Sequence, residues 1–258
     1  MPRRPSWYAR LVDISAFLGF YPERLATLIL RTPRFLRDGR RYRRARHDRF
    51  PLHWSRVEPI LTDFRAQAGT AHGHYFRQDL WAAQRIHAAR PALHVDVGSR
   101  IDGFVAHVLS FMPVTVVDIR PLTSDVEGLT FRQGDMCRLE FPSNSIASIS
   151  CLHAVEHVGL GRYGDPIDPE GCFTAMRELG RVVAPGGRLY LGTPIGRERL
   201  AFNSERVFDP RTVVATLSPL RLVAFDAVDD QDRFVASADL AAFADARYSC
   251  GLFEFTKD

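Results

Sequence analysis

Lysine is almost missing from this chain of 258 residues: of its 34 basic residues only Lys257 is a lysine. Arginine is therefore the default cation, and a single arginine says little about function. Long apolar runs are missing too. None reaches the roughly 18 residues that a membrane-spanning helix needs, and the first residues lack the apolar core and small-residue cleavage site of a signal peptide. Cysteine is sparse. Cys137, Cys151, Cys172 and Cys250 are scattered, with no C-x-x-C pair, so a reduced, cytoplasmic protein with buried thiols is expected. There are no internal repeats and no low-complexity linker. The formal charge of +4 is too small to argue for a nucleic-acid partner.

What is present divides unevenly. Residues 1–50 read as a basic helical arm. Leu11, Ile14, Phe17, Leu18, Leu25, Leu28 and Ile29 suggest short amphipathic helices broken near Tyr21-Pro22. Arg31, Arg34, Arg37, Arg40, Arg41, Arg43, Arg44, Arg46 and Arg49 follow, opposed only by Asp38 and Asp48. Residues 31–49 are thus a candidate for peripheral contact with an anionic membrane surface, or simply a solvated helical face. Residues 51–90 read as helical lead-in, with Trp54, Val57, Ile60, Leu61 and Phe64 at helical spacing, and a second helix from Tyr75 to Ala89 that ends before Pro91. His72 and His74, in the turn between them, are candidates to face a ligand.

From residue 92 the pattern changes. Leu93, Val95 and Val97 form a buried strand that runs into Asp96, Gly98, Ser99 and Arg100, and helical spacing resumes at Ile101. A second β-branched run, Val114 to Val117, ends in Asp118. A carboxylate at that position suits a ribose diol, because two hydroxyls can donate to one ionised acceptor. Further strands are expected at 129–133, 145–152 and 188–193, a helix over 173–183, and a helix–strand–helix–strand tail over about 210–256. This alternation predicts a doubly wound, mostly parallel α/β sheet.

Several phrases extend the reading. They are Asp96-Val-Gly98, Asp118 with Ile119, Gly134-Asp135-Met136, Leu152-His-Ala-Val-Glu-His-Val158 and Pro185-Gly-Gly187. Their order resembles the class I S-adenosylmethionine-dependent methyltransferases over residues 90–256, most specifically 92–194. More narrowly, the stretches 75–80, 94–107, 117–121, 159–169 and 202–208 resemble an uncharacterised family known as domain of unknown function number 268. The resemblance implies a seven-stranded Rossmann-like domain over 51–258 and S-adenosyl-L-methionine as cofactor. It implies cofactor contacts from Asp96, Gly98, Ser99, Arg100, Asp118, Ile119, Asp135, Met136 and His153. The first motif departs from the usual alternate glycines, with Arg100 and Asp102 at later glycine positions. A guanidinium there suits the methionine carboxylate.

Methyl transfer to a hydroxyl needs an in-line nucleophile and a base. His157, oriented by Glu156, is the candidate pair, and the acceptor is expected to be a small polar or glycan-type molecule. Two competing readings remain. One is a non-catalytic, methyltransferase-like module that binds a nucleotide or a partner. The other is a zinc hydrolase using His153-x-x-Glu156-His157, which needs both histidines on one helix face. No metal ligand is otherwise assigned.

Overall fold

The computed structural model describes residues 19, 21–45 and 49–258. Leu11, Ile14, Phe17, Leu18, Arg46 and Asp48 lie outside the described residues. Two compact units are present, divided between Gly69 and Thr70.

The first unit carries helix α1, Pro22–Arg44, with proline in its first turn, where no intrahelical N–H is needed. Leu25, Leu28, Ile29 and Leu30 are exposed. Residues 51–69 form no long helix; short 3₁₀ turns stand at Trp54–Arg56 and Asp63–Arg65. This segment belongs with the arm instead of leading into the sheet. Tyr42 Oη donates to the Phe50 carbonyl at 3.0 Å, and the Arg34 guanidinium lies 2.9 Å from the Phe64 ring centre. A Cβ on Gly39 would stand 3.0 Å from the Trp54 indole. Aromatic packing on the helix therefore moves the boundary from about residue 50 to 69.

The second unit is the expected doubly wound α/β domain. It opens with α2, His74–Ala89, then β1, His94–Val97. A π-type turn at Ile101–Val105 leads to α3, Ala106–Leu109. Strands β2 (Val114–Asp118), β3 (Leu129–Gln133) and β4 (Ile146–Leu152) follow. Next come α4 (Gly171–Val182), β5 (Val183–Ile195), and a small hairpin of β6 (Arg199–Ala201) and β7 (Glu205–Val207). The tail adds α5 (Pro210–Thr216), β8 (Arg221–Val228), β9 (Phe234–Val235), α6 (Leu240–Phe243) and β10 (Ser249–Thr256).

The sheet order is β3-β2-β1-β4-β5-β10-β8-β9. Pairs from β3 to β5 are parallel and those involving β10 and β9 are antiparallel. The two-residue β9 is an eighth strand at the edge, added to the seven implied by the resemblance. One face packs on α2 and α3 through Trp81, Ile86, Phe104, Val108, Tyr190 and Leu252. The other packs on α4 and α5 through Leu179, Val182, Val213, Leu217 and Phe255. Strand order reverses between β1 and β4, which opens a crevice beyond the carboxyl ends of β1, β2 and β4.

Candidate active site

The crevice is a cavity of about 80 Å³ lined by Gly98, Asp118, Ile119, Asp135, Met136, His153 and His157, among others. A wider cleft adjoins it and shares Gly98, Asp118, Arg120, His153, His157 and Tyr163; Tyr75, Ser99, Arg100 and Phe131 line its outer part.

Asp96 lies under the cavity instead of lining it. Its carboxylate is fully buried and accepts from Ser99 Oγ and Ser150 Oγ, both at 2.6 Å, and from the Ser99 N–H at 3.1 Å. The Ser150 O–H is already donated to Asp96, so at 2.9 Å its oxygen accepts from His94 Nε2–H, and Ser148 donates to His94 Nδ1 at 2.8 Å. Ser99 Oγ in turn accepts from the Leu152 N–H at 3.0 Å. Asp96 and Ser99 therefore lock the loop after β1 to the end of β4. Their side chains are spent on that lock, which corrects the expectation of direct cofactor contact from Asp96. Burial pushes the Asp96 carboxyl up to about 6.

This shift has a testable sign. The unfolded Asp96 titrates near 3.8, so between pH 6 and 3.8 the folded chain holds a proton that the unfolded chain lacks. The group adds stability as pH falls through that window. Asp79, also pushed by burial to about 6, acts in the same sense. His94 and His153, pushed by burial to about 3, act oppositely below 6.5. Asp96→Asn isolates the first effect. Wild type should gain on the variant by up to about 1.4 kcal/mol per pH unit between pH 6 and 4. Urea unfolding profiles that run parallel across that range would exclude proton uptake at Asp96.

Gly98 is the one first-motif glycine that the cavity requires. It sits at φ +76°, and a Cβ there would stand 2.9 Å from Ala154 Cβ and 3.2 Å from Met136 Cε. Arg100 turns away from the cavity: it pairs with Asp102 at 3.0 Å and its guanidinium lies 5.1 Å from the Tyr75 ring centre. Asp118 does face the cavity, bound by Arg120 at 2.9 and 2.7 Å. Arg120 also lies over Tyr163, 4.5 Å from its ring centre. Asp135 accepts from the Cys137 N–H at 2.8 Å and shares the wall with Met136.

The segment after β4 is not an α-helix. His153 takes φ +50° and a 3₁₀ turn covers Val155–His157. The two histidines therefore do not share a helix face. Among the described residues no convergent metal-ligand group includes Glu156 or His157, so the shared helix face and the convergence that the zinc-hydrolase reading needs are not formed here. Glu156 is 1% exposed, with Thr193 Oγ1 at 3.4 Å, His153 Nδ1 at 3.6 Å and His157 Nε2 at 3.8 Å. Burial pushes its carboxyl up to about 8. His157 Nδ1 is 2.6 Å from the Ser204 carbonyl, so Nδ1 carries the proton and Nε2 is left as an acceptor. Burial lowers its pKa, which keeps the ring neutral.

The loop over 159–169 covers this turn. Gly159, at φ +80°, is required because a Cβ would collide with the Asp168 carbonyl. Asp165 folds the loop on itself by accepting from the N–H groups of Gly159, Gly161 and Tyr163. Arg206, from β7, donates to the Val158 carbonyl at 2.6 Å. Periodicity gave no sign of this bracing hairpin, of Arg120 or of Tyr163. Arg120, Tyr163 and β7 do fall within the stretches 117–121, 159–169 and 202–208 that resemble the uncharacterised family.

A family model described as Caenorhabditis protein of unknown function, DUF268, matches residues 139–241. No curated protein matches the chain. Among solved structures, the 4+2 cyclase SpnF is 14% identical at a TM-score of 0.51, covering 70% of this chain and 80% of its own. A protein from Galdieria sulphuraria, provisionally named a sarcosine dimethylglycine methyltransferase, is 13% identical at 0.50, covering 70% and 86%. The N-methyltransferase NodS from Bradyrhizobium japonicum WM9, in complex with S-adenosyl-L-homocysteine, is 17% identical at 0.48, covering 71% and 87%. The chain thus has a class I methyltransferase-like fold and a segment similar to the DUF268 family. One neighbour is named a cyclase and another a methyltransferase, so the fold leaves the reaction open.

Proposed function

We propose that the chain is an S-adenosylmethionine-dependent methyltransferase acting on a hydroxyl of a small polar or glycan-type molecule. The observation that carries this reading is the wall of the cavity. Asp118 and Asp135 stand on it, Met136 gives an apolar surface, and Gly98 leaves a cradle that any side chain would fill. These residues fit a ribose, an adenine and a close backbone approach, respectively. S-adenosylmethionine, when bound, supplies a methyl group on a sulfonium. The chain supplies position and a proton acceptor. His157 Nε2, held by the Ser204 carbonyl on Nδ1, takes the proton of the acceptor hydroxyl. Tyr75 and Tyr163, each beside an arginine, give the cleft flat faces and donors suited to a sugar-like molecule.

Titration calorimetry tests the reading. S-adenosylmethionine is expected to bind, and Asp118→Ala to weaken it about tenfold, roughly the 1.4 kcal/mol of a hydrogen bond to a charged acceptor. No heat at millimolar cofactor, with the chain folded, would leave the non-catalytic module as the better reading.

A further inference from the structure

His153 is an anomaly that the proposed reaction does not use. It is 8% exposed, and neither ring nitrogen has a hydrogen-bond partner. A buried imidazole without partners is costly, and such orphans call for an explanation. Its backbone is also held in the left-handed region at φ +50°, with its N–H donating to the Gly192 carbonyl at 2.8 Å. The ring is thus placed deliberately by the end of β4 and left unsatisfied.

Two other ligand-type side chains meet it there. His74, the first residue of α2, lies edge-on to His153 with ring centres 5.5 Å apart. Cys250, near the start of β10, is fully buried, and its Sγ has only weak neighbours, Gln78 Oε1 at 3.9 Å and the Gly251 carbonyl at 3.8 Å. One ligand atom from each of His74, His153 and Cys250 lies within 4.8 Å of the other two. With metal–nitrogen bonds of about 2.0 Å and a metal–sulfur bond of about 2.3 Å, a tetrahedral ion would draw these atoms together by roughly an ångström. Rotation of side chains can supply that movement.

We infer that His74, His153 and Cys250 form a divalent transition-metal site, with zinc the ion that a donor set of two imidazoles and a thiolate selects. His153 Nδ1 faces the Glu156 carboxyl at 3.6 Å, which leaves the other ring nitrogen for the metal. A histidine between a carboxyl and a metal is a recurrent arrangement, and the small ring movement that brings Nε2 onto an ion can close the 3.6 Å gap to the carboxyl. His153 lines the cavity, whereas His74 and Cys250 do not. The ion therefore sits behind the cavity floor, and water completes its coordination. It ties together three elements far apart in the chain and fixes the floor residue, whether or not the cavity transfers methyl groups.

The test uses the full chain purified without chelator. Elemental analysis is expected to find about one zinc per chain. After exchange, cobalt(II) should show a thiolate-to-metal absorption band. Cys250→Ser should abolish that band, and His74→Ala should weaken metal binding at least about tenfold. His157→Gln should keep one metal per chain, since its ring is not a ligand. A folded wild-type chain that stays metal-free when titrated with zinc would overturn the site. So would a cobalt spectrum lacking the thiolate band, which needs no variant to fold. Full binding that survives both Cys250→Ser and His74→Ala would overturn it too.

Discussion

Gly98→Val is expected to weaken S-adenosylmethionine binding by at least about 100-fold, equivalent to about 2.7 kcal/mol. Two effects combine at this position. A residue with a Cβ at φ +76° is strained by roughly 1–2 kcal/mol. Its side chain would also push on Ala154 at 2.9 Å and Met136 at 3.2 Å, both of which line the cavity. The strain lowers stability, and the displaced wall removes the cradle itself. Circular dichroism separates the two, because calorimetry can be run below the melting point of the variant. Binding within about threefold of wild type by a folded variant would show that this loop does not approach the cofactor.

The second large effect is on stability and lies away from the cavity. Arg85, on α2, reaches Asp226 of β8 at 2.7 Å and Glu254 of β10 at 2.6 Å. Trp81 Nε1 donates to the same Asp226 at 2.7 Å, and Arg188 pairs with Glu254 at 3.1 Å. Two carboxylates within the sheet are thereby matched to one helix face. Removing one member of a buried ion pair costs about 3–5 kcal/mol. Arg85 is 32% exposed, and Trp81 and Arg188 remain as partners. The expected cost of Arg85→Ala is therefore nearer 2 kcal/mol, a fall in melting temperature of about 4–8 °C. A melting temperature unchanged within about 1 °C would mean that solvent already screens the network.

Part of this architecture is legible in particular residues of the sequence. Alternating apolar residues at 93–97 and 145–152, a β-branched run at 114–117 and helical spacing at 75–89 are local signals. They were enough for the order of strands and helices, because period 2 and period 3.6 follow from which face is buried. The same signals placed Asp118 at a strand end, and the resemblance picked out Asp135 just past the next strand; both line the cavity. Spacing could not show that Asp96 points inward, since a carboxylate at a strand end is equally possible above or beneath a cavity. Its burial depends on Ser99 and Ser150, the latter contributed by another strand. In residues 51–69 helical spacing predicts a helix, yet aromatic packing on α1 prevails, because contacts with another element outweigh weak local propensity.

By itself, then, the sequence determined the alternation of elements, the doubly wound sheet and the glycine turn at its centre. Each follows from interactions among residues near one another in the chain. Only the tertiary structure decided which acids face the cavity, that Arg120 sits on Asp118, and that His157 keeps Nε2 free. It alone brings His74, His153 and Cys250 into one cluster. Such convergence is set by how α2, β4 and β10 pack across the sheet, and long-range packing leaves no periodic trace in the order of the residues.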